Sequence, residues 1–384
     1  MYNVRKIKIG KTDQLDALAR ATGLLYTLVV VFFWRTVRKK GIWLKSSSLM
    51  RLFTSRQLHA HTADAVVQSF FASLKSWQTR HRKDPKAKPP RRRPKFFKIV
   101  WKKSAIKIQD KQLRLSNGKG NAPLCIPWEW GLPVMVEVGW DGEQYELRAI
   151  YNYPVTIKPH GEAVAGVDLG EIHSAVAHTG EKCFIANGRE LRSKRRYQNK
   201  LKKKLASKLD RKRKGSRRYR RLQSSKRKQL KKLNHQIYEI EHKQTTQLIS
   251  TLYAEGVQTV VIGDMRDIRE NLNYGHTANQ KLHQMPHGQI RFMLTYKAER
   301  HGMKVVVENE AYTSQTCPAC LRRHKPRGRE YRCQCGFQYH RDGVGSLNIR
   351  NKYLGQRVPV VGAMASPTGM RYKPHSRVAR IREA

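Results

Sequence analysis

The chain has 384 residues, enough for two or three domains, and 78 Lys and Arg against 28 Asp and Glu give a formal net charge of +50. This excess points to a polyanionic partner, above all nucleic acid, and argues against an enzyme of small acidic substrates, which needs only a few local charges. Six cysteines are too few for a disulfide scaffold. The longest apolar run, Leu24–Trp34, is too short to cross a hydrocarbon core of about 30 Å. We therefore expect a soluble cytoplasmic protein with no membrane partner.

The first half of the chain is predicted to be a β-rich domain interrupted by helices. Residues 1–10 alternate as a strand does, whereas the segment that follows has apolar residues at helical spacing. Residues 95–160 are short β-rich runs separated by turn residues. This pattern predicts an all-β barrel formed by 1–10 and 95–160, with a helical domain and a stiff basic linker inserted at 11–94.

The second half is predicted to be α/β. Three strands are followed by two basic helices and then by strand, helix, strand and helix. The predicted bounds outside the basic helices are strands 163–168, 174–178, 183–186, 259–262 and 304–307 and helices 289–300 and 343–353. We predict an α/β domain at 161–316 and 336–354, and a flexible basic tail at 355–384.

A long basic stretch separates the third and fourth of these strands. Between Arg189 and Lys232 there are 23 Lys and Arg, with Glu190 and Asp210 as the only acids. Leucines at helical spacing predict two antiparallel helices, and the unpaired charge predicts contacts with a phosphate backbone. The candidate nucleic-acid contacts are Arg195, Arg196, Lys202, Lys203, Arg211, Lys212, Arg217, Arg218, Arg220 and Arg221, with Arg91, Arg92 and Arg93 in the linker.

Four cysteines form two close pairs late in the chain. Cys317 and Cys320 are followed by Cys333 and Cys335. Two thiol pairs joined by a hairpin are typical of a structural Zn²⁺ site, whose four filled positions leave none for a substrate water. We therefore predict a zinc ribbon at 317–335, inserted into the α/β domain.

Two aspartates stand where an RNase H-like sheet carries metal ligands. Asp168 ends the first strand of the α/β domain, and Asp342 begins its last helix. The element order is that of an RNase H-like fold, in which such acids lie beside a third carboxylate. Clustered carboxylates of this kind hold two divalent ions for phosphodiester hydrolysis, and oxygen-only ligands suit Mg²⁺.

Several segments resemble TnpB, the RNA-guided endonuclease family of insertion sequences that is related to type V CRISPR effectors and to Fanzor. They are GVDLG at 166–170, YTSQTCPAC at 312–320 and HRDGVGSLNI at 340–349, with support from HKQTT at 242–246 and VVIGD at 260–264. The resemblance implies a RuvC-like nuclease domain behind N-terminal wedge and recognition domains. It also implies a guide RNA from the transposon end, one protein per RNA, and a double-stranded DNA target beside a short adjacent motif.

The chain departs from the family pattern at one acid. The family's middle Glu is replaced here by Gly263, and the following Asp264 should point to the opposite face of its strand. Some branches of the family resemble this sequence in carrying a relocated Glu after the next strand, where Glu310 fits better than Glu308. The predicted catalytic and magnesium-binding set is therefore Asp168, Glu310 and Asp342.

Two other functions stay open at this point. The chain is a nuclease-inactive, RNA-guided DNA-binding protein if no acid replaces the missing Glu. It is a DNA-binding accessory of transposition, or a guide-independent junction nuclease, if it carries no guide RNA.

Overall fold

The computed structural model divides into two compact units, Met1–Pro154 and Val155–Ala384. The residues that the structure describes are 2–92, 96–154, 157–265, 275–355 and 364–372. Arg93, one of the candidate nucleic-acid contacts, lies outside the described residues.

Unit 1 combines antiparallel sheets with three helices in its described part. Its elements are β1 Tyr2–Ile9, α1 Asp13–Lys40, α2 Ser46–Leu52, α3 Ala60–Lys83, β2 Ile99–Lys102, β3 Ile106–Gln109, β4 Gln112–Leu115, β5 Leu124–Pro127, β6 Met135–Trp140 and β7 Tyr145–Asn152. One sheet has the order β1-β7-β6-β2 and the other β3-β4-β5. The predicted first strand thus pairs with the β-rich region, and the helices lie between them in the chain. The predicted barrel is instead two separate sheets, because a 3₁₀ turn at Lys103–Ala105 ends one sheet before the next begins.

The core of unit 1 forms between its larger sheet and the helices α1 and α3. Trp101, Phe33 and Phe70 are fully buried there, and the Trp101 indole donates a hydrogen bond to the Ser116 carbonyl at 3.0 Å. The Thr12 side chain caps the first turn of α1 by accepting from the Leu15 amide. The aromatic positions of the basic N-terminal half are therefore largely core residues.

Helix α1 meets the length and hydropathy criteria for a membrane span, with a mean hydropathy of 1.7 over its most apolar window. Half of that window is buried in the protein. Since core helices of soluble proteins and N-terminal signal sequences pass the same test, the helix is weak evidence for a membrane.

Unit 2 contains a six-stranded mixed sheet in its described part. Its elements are β8 Ala163–Asp168, β9 His173–His178, β10 Cys183–Asn187, α4 Arg189–Asp210, α5 Arg217–Ala254, β11 Val257–Asp264, α6 His276–Gln284, α7 His287–Arg300, β12 Lys304–Asn309, β13 Glu330–Arg332, β14 Gln338–His340, α8 Arg341–Tyr353 and β15 Thr368–Met370. The strand order is β12-β11-β8-β9-β10-β15, with β8, β11 and β12 parallel and β9 antiparallel to its neighbours. The predicted strands and helices of this half are all present.

Two elements of unit 2 depart from the sequence prediction. Helix α6 is not predicted from the sequence, because its nine residues are mostly polar and include only two apolar side chains, Ala278 and Leu282. Strand β15 pairs in parallel with β10, with Ile185 opposite Gly369. The assignment of the whole segment 355–384 to a flexible tail is therefore wrong for 368–370, where backbone pairing and the buried Met370 hold the chain.

Helices cover both faces of the sheet, which explains why β11 is buried from Thr259 to Gly263. Side chains of α5 and α7 pack on one face, and α8 packs on the other together with the cysteine-rich ribbon. Gly166 of β8 permits the close approach of α8, since a Cβ there would lie 2.1 Å from the Ser346 carbonyl oxygen. This contact fixes the start of α8 beside the end of β8.

A buried lysine of α7 binds the HKQTT segment, which lies within α5 at residues 242–246. Lys297 of α7 donates to the His242 carbonyl at 2.6 Å and to the hydroxyls of Thr245 and Thr246 at 2.6 and 2.7 Å. Burial lowers the pKa of Lys297 to about 7. These residues therefore act in packing the two helices on the sheet.

Candidate active site and metal centres

The predicted acids meet at one edge of the unit 2 sheet. Because β8, β11 and β12 are parallel, their carboxyl ends lie at the same edge. Asp168 ends β8, Glu310 follows the last residue of β12, and Asp342 lies in the first turn of α8. The charges of Asp342 and Glu310 both act on the Asp168 carboxyl. The three acids thus lie at one edge of the sheet, near enough for the charges of Asp342 and Glu310 to act on Asp168.

Glu310 fills the space above Gly263. A Cβ on Gly263 would lie 2.6 Å from the Glu310 Oε2 atom and 3.3 Å from its Cβ. It would also lie 3.0 Å from the Cδ1 atom of Ile349 on α8. The side chain of Glu310 therefore occupies the volume that a residue with a side chain at 263 would take. The Glu310 side chain can occupy this position only because residue 263 has no side chain.

The two other acids considered for this role have different surroundings. Asp264 forms an ion pair with Arg291 of α7 at 3.3 Å, on the helix that covers the opposite face from α8. Glu308 lies 3.8 Å from the Lys352 ammonium and accepts from the Asn309 amide. Alternation along a strand predicts that the Asp264 side chain lies on the face opposite to residue 263.

The acid cluster is electrostatically strained without cations. Burial, followed by the charges of Asp342 and Glu310, raises the pKa of Asp168 well above its usual range. Burial and the nearby Asp264 raise the pKa of Glu310 to about 7. The Glu310 Oε2 atom is buried without a hydrogen-bond partner among the described residues. An oxygen-only set with an unsatisfied carboxylate fits hard divalent cations such as Mg²⁺.

This strain predicts a pH-dependent stability difference. Because the pKa of Glu310 is raised in the folded protein, the folded state holds a proton that the unfolded state releases, and stability falls as pH rises from about 4.5 to 7. Glu310→Gln should therefore raise the free energy of unfolding at pH 8 in magnesium-free buffer, by about 2–3 kcal/mol. The gain should shrink towards zero as pH falls to 5. Urea unfolding of both proteins at pH 5 and 8 checks this, and an equal effect at both values would contradict it.

Two histidines that sequence analysis did not single out lie beside the last acid, and one of them contacts it. His173 at the start of β9 places its Nδ1 atom 2.8 Å from Oδ2 of Asp342. The ring of His340, just before α8, lies 5.1 Å from that of His173. Arg329 also reaches Asp342 Oδ2, at 3.3 Å. The only sequence signal was the place of His340 two residues before Asp342, since His173 is distant in the chain.

The four late cysteines form a compact thiol cluster. The Sγ atoms of Cys317 and Cys335 lie 3.7 Å apart, and those of Cys320 and Cys333 lie 3.5 Å apart. A tetrahedral zinc site with bonds of about 2.3 Å has sulfur–sulfur edges of about 3.8 Å. The Arg322 backbone amide lowers the pKa of Cys320 to about 7, which favours the thiolate. The geometry fits a structural Zn²⁺ ion.

We expect this cluster to be required for stability. Cys317→Ser should remove the zinc and lower the free energy of unfolding by more than about 3 kcal/mol, because Cys317 is fully buried among ribbon residues. Cys125→Ser on the exposed face of β5 is the matched control and should change it by less than about 0.5 kcal/mol. Zinc content and chemical unfolding measure both, and a zinc-free Cys317→Ser protein of unchanged stability would contradict the prediction.

The basic helices α4 and α5 form a hairpin whose candidate contacts are mostly free for a ligand. The exposed members are Arg196, Lys202, Lys203, Arg211, Lys212, Arg217, Arg218, Arg220 and Arg221 on the hairpin, with Arg91 and Arg92 in unit 1. Arg195 is a correction, because it is used inside the protein. Its guanidinium binds the buried Glu241 carboxylate at 2.6 Å and donates to the Gln284 carbonyl.

The fold and the site together define a class. An aspartate on the first strand of a mixed β-sheet, a carboxylate after a parallel neighbour and an aspartate on the last helix characterise RuvC-like nuclease domains of the RNase H-like fold. The mixed α/β fold of the chain resembles that of Cas12 effectors. It matches the structure titled the Cas12f1–sgRNA–target DNA complex with a TM-score of 0.58 and 12% identity, covering 88% of this chain and 82% of that one.

Sequence comparisons place the chain more narrowly. Residues 140–269 match the family OrfB_IS605, described as a probable transposase, and residues 287–349 match the Cas12f1-like TNB domain. A TnpB-like protein, ORF457 of Acidianus two-tailed virus, is 27% identical over 66% of this chain. The match spans only 55% of that relative's length. Together these similarities support a TnpB-type protein.

Proposed function

We propose that this chain is an RNA-guided DNA endonuclease of a transposable element, which cuts double-stranded DNA beside a short adjacent motif. The observation that carries the proposal is the Glu310 carboxylate over Gly263. It supplies a third acid beside Asp168 and Asp342, so the missing Glu at 263 does not leave the cluster incomplete.

The chain's residues would act by holding two Mg²⁺ ions and the scissile phosphate. Asp168, Glu310 and Asp342 would be the magnesium ligands, and the bound ions would supply activation of water and stabilisation of the leaving oxygen. The raised pKa values of Asp168 and Glu310 mean that, in the absence of cations, both carboxyls ionise less readily than free carboxyls do. We therefore propose that cation binding charges this cluster as well as completing it.

The proposed partners are a guide RNA from the transposon end and the target DNA. The nine exposed candidate cations of the α4–α5 hairpin named above, with Arg91 and Arg92, suit phosphate contacts because no ion pair within the described residues neutralises them. Base pairing by the guide would supply the sequence recognition. One protein per RNA and a cytoplasmic location are part of the same proposal.

A plasmid cleavage assay tests the proposal. The protein is co-expressed with its flanking genomic DNA so that any guide is captured, and it is then given plasmids with the matching target next to randomised flanking bases. Mg²⁺-dependent linearisation of matched plasmid only, lost in Asp168→Asn, is the expected result. Linearisation of unmatched plasmid would instead indicate a guide-independent nuclease.

The second candidate is a nuclease-inactive RNA-guided DNA-binding protein, which the Gly at position 263 favours. It predicts retention of matched plasmid by the wild-type complex with no cut in any divalent cation. Co-purification of no defined RNA would reject both guided functions and favour a DNA-binding accessory of transposition.

A further inference from the structure

Asp342 belongs to a second group of potential ligands besides the carboxylates. One ligand atom each from His173, His340 and Asp342 lies within 4.8 Å of the others. His173 and Asp342 are mostly buried, with side-chain exposures of 15% and 21%. Three elements supply the group, since His173 begins β9, His340 ends β14 and Asp342 lies in α8. The fold therefore assembles a mixed nitrogen and oxygen set at one corner of the acid cluster.

Protein hydrogen bonds do not account for both imidazoles. The His173–Asp342 contact at 2.8 Å is an ordinary pair. The Nδ1 atom of His340, however, is buried without a hydrogen-bond partner among the described residues. Burial of such an atom is unfavourable unless a ligand or water satisfies it. The unsatisfied His340 imidazole beside Asp342 is thus the feature that needs an explanation.

The chemistry of the donors selects the type of ligand. Imidazole nitrogen suits transition-metal ions such as Fe²⁺, Ni²⁺, Cu²⁺ and Zn²⁺, and carboxylate oxygen suits Mn²⁺, whereas Mg²⁺ prefers oxygen and water alone. Two imidazoles and one carboxylate are a common facial set for borderline divalent ions. An anion is disfavoured because the Asp342 carboxylate forms one side of the group.

We propose that His173, His340 and Asp342 bind a divalent transition-metal ion of the Mn²⁺ type. This inference rests on the proposed function only in that Asp342 also serves the magnesium cluster. It assigns a mixed nitrogen and oxygen site to the Asp342 side of the active site, next to the oxygen-only positions at Asp168 and Glu310. The protein would accordingly retain a transition-metal ion at this position, whereas a site made only of carboxylates would bind magnesium there.

Arg329 should oppose this binding. Its Nη1 atom lies 3.3 Å from Asp342 Oδ2, the oxygen that also contacts His173. Its side chain is half exposed, at 48%, and can move aside. A guanidinium at that oxygen competes electrostatically with a cation. Arg329→Gln should therefore bind the ion about threefold or more tighter than wild type.

Mn²⁺ titration of the full chain tests the site. The protein is first saturated with Zn²⁺ at the ribbon and freed of excess, and free Mn²⁺ is then followed by electron paramagnetic resonance without nucleic acid. His173→Ala and His340→Ala should each weaken one Mn²⁺ site by about tenfold or more. His235→Ala, exposed on α5, is the matched control and should leave it unchanged.

Two conservative variants and their melting temperatures separate loss of the site from loss of the fold. His173→Asn and His340→Asn preserve polarity, so loss of binding with an unchanged melting temperature excludes unfolding as the cause. Equal Mn²⁺ affinity in wild type and all histidine variants would overturn the proposal. If the protein shows guided cleavage in Mg²⁺ but has no histidine-dependent Mn²⁺ site, this inference is wrong and the proposed function stands. If it has such a site but shows no guided cleavage, only the proposed nuclease function is wrong.

Discussion

Glu310→Gln is expected to lower guided DNA cleavage by about a thousandfold or more while leaving target binding within about twofold. The substitution preserves the shape of the side chain over Gly263 and removes only the carboxylate charge. Loss of one charged ligand from a two-metal site removes stabilisation of the transition state, which is worth several kcal/mol. Cleavage rates with a matched plasmid and gel-shift affinity for the same target measure the two quantities.

Glu308→Gln is the matched control for this prediction. Glu308 is two residues away and contacts Lys352 at 3.8 Å. Its substitution should change cleavage by less than about threefold, as expected for a partly exposed ion pair. If Glu308→Gln abolished cleavage and Glu310→Gln did not, the third acid would be at 308. Full activity in both variants would move the role to Asp264 or to a site that uses two acids.

Sequence analysis could predict the α/β unit because its signals are local. The strand ending at Asp168, the buried run before Gly263 and the thiol spacing each reflect burial or ligand geometry within a few residues. The placement of Glu310 is less accessible from the sequence. Alternation within β11 excluded Asp264 from the Gly263 face, but only the fold shows Glu310 above Gly263.

Other parts of the site depend on contacts between distant segments, which a single sequence does not reveal. His173 meets Asp342 across 169 positions, and Arg195 meets Glu241 across 46. The first pair adds a residue to the site, and the second removes a residue from the predicted nucleic-acid surface. Strand β15 was missed for the same reason, since only its partner β10 makes its three residues a strand.

Gly263→Ala is expected to lower guided cleavage by about a hundredfold with little loss of target binding. The new Cβ would lie 2.6 Å from the Glu310 Oε2 atom and 3.0 Å from the Ile349 Cδ1 atom, so the Glu310 carboxylate must shift from its position. A displacement of about 1 Å of a group that positions reactants has an effect of this size. Gly288→Ala is the control, since a Cβ at that position meets no atom within 4 Å, and it should retain wild-type cleavage.

Exchanging the two positions tests whether the space over residue 263 is what matters. Gly263→Glu alone should be inactive because two side chains would compete for one volume, and Glu310→Ala alone should be inactive because the carboxylate is lost. The double variant removes the competitor and supplies a carboxylate from β11, so it should cleave at least about tenfold faster than either single variant. Melting temperatures of all three separate this effect from unfolding. Wild-type cleavage by Gly263→Glu alone would contradict the exclusion of one side chain by the other. A folded but inactive double variant would show that the carboxylate acts only from the backbone position after β12.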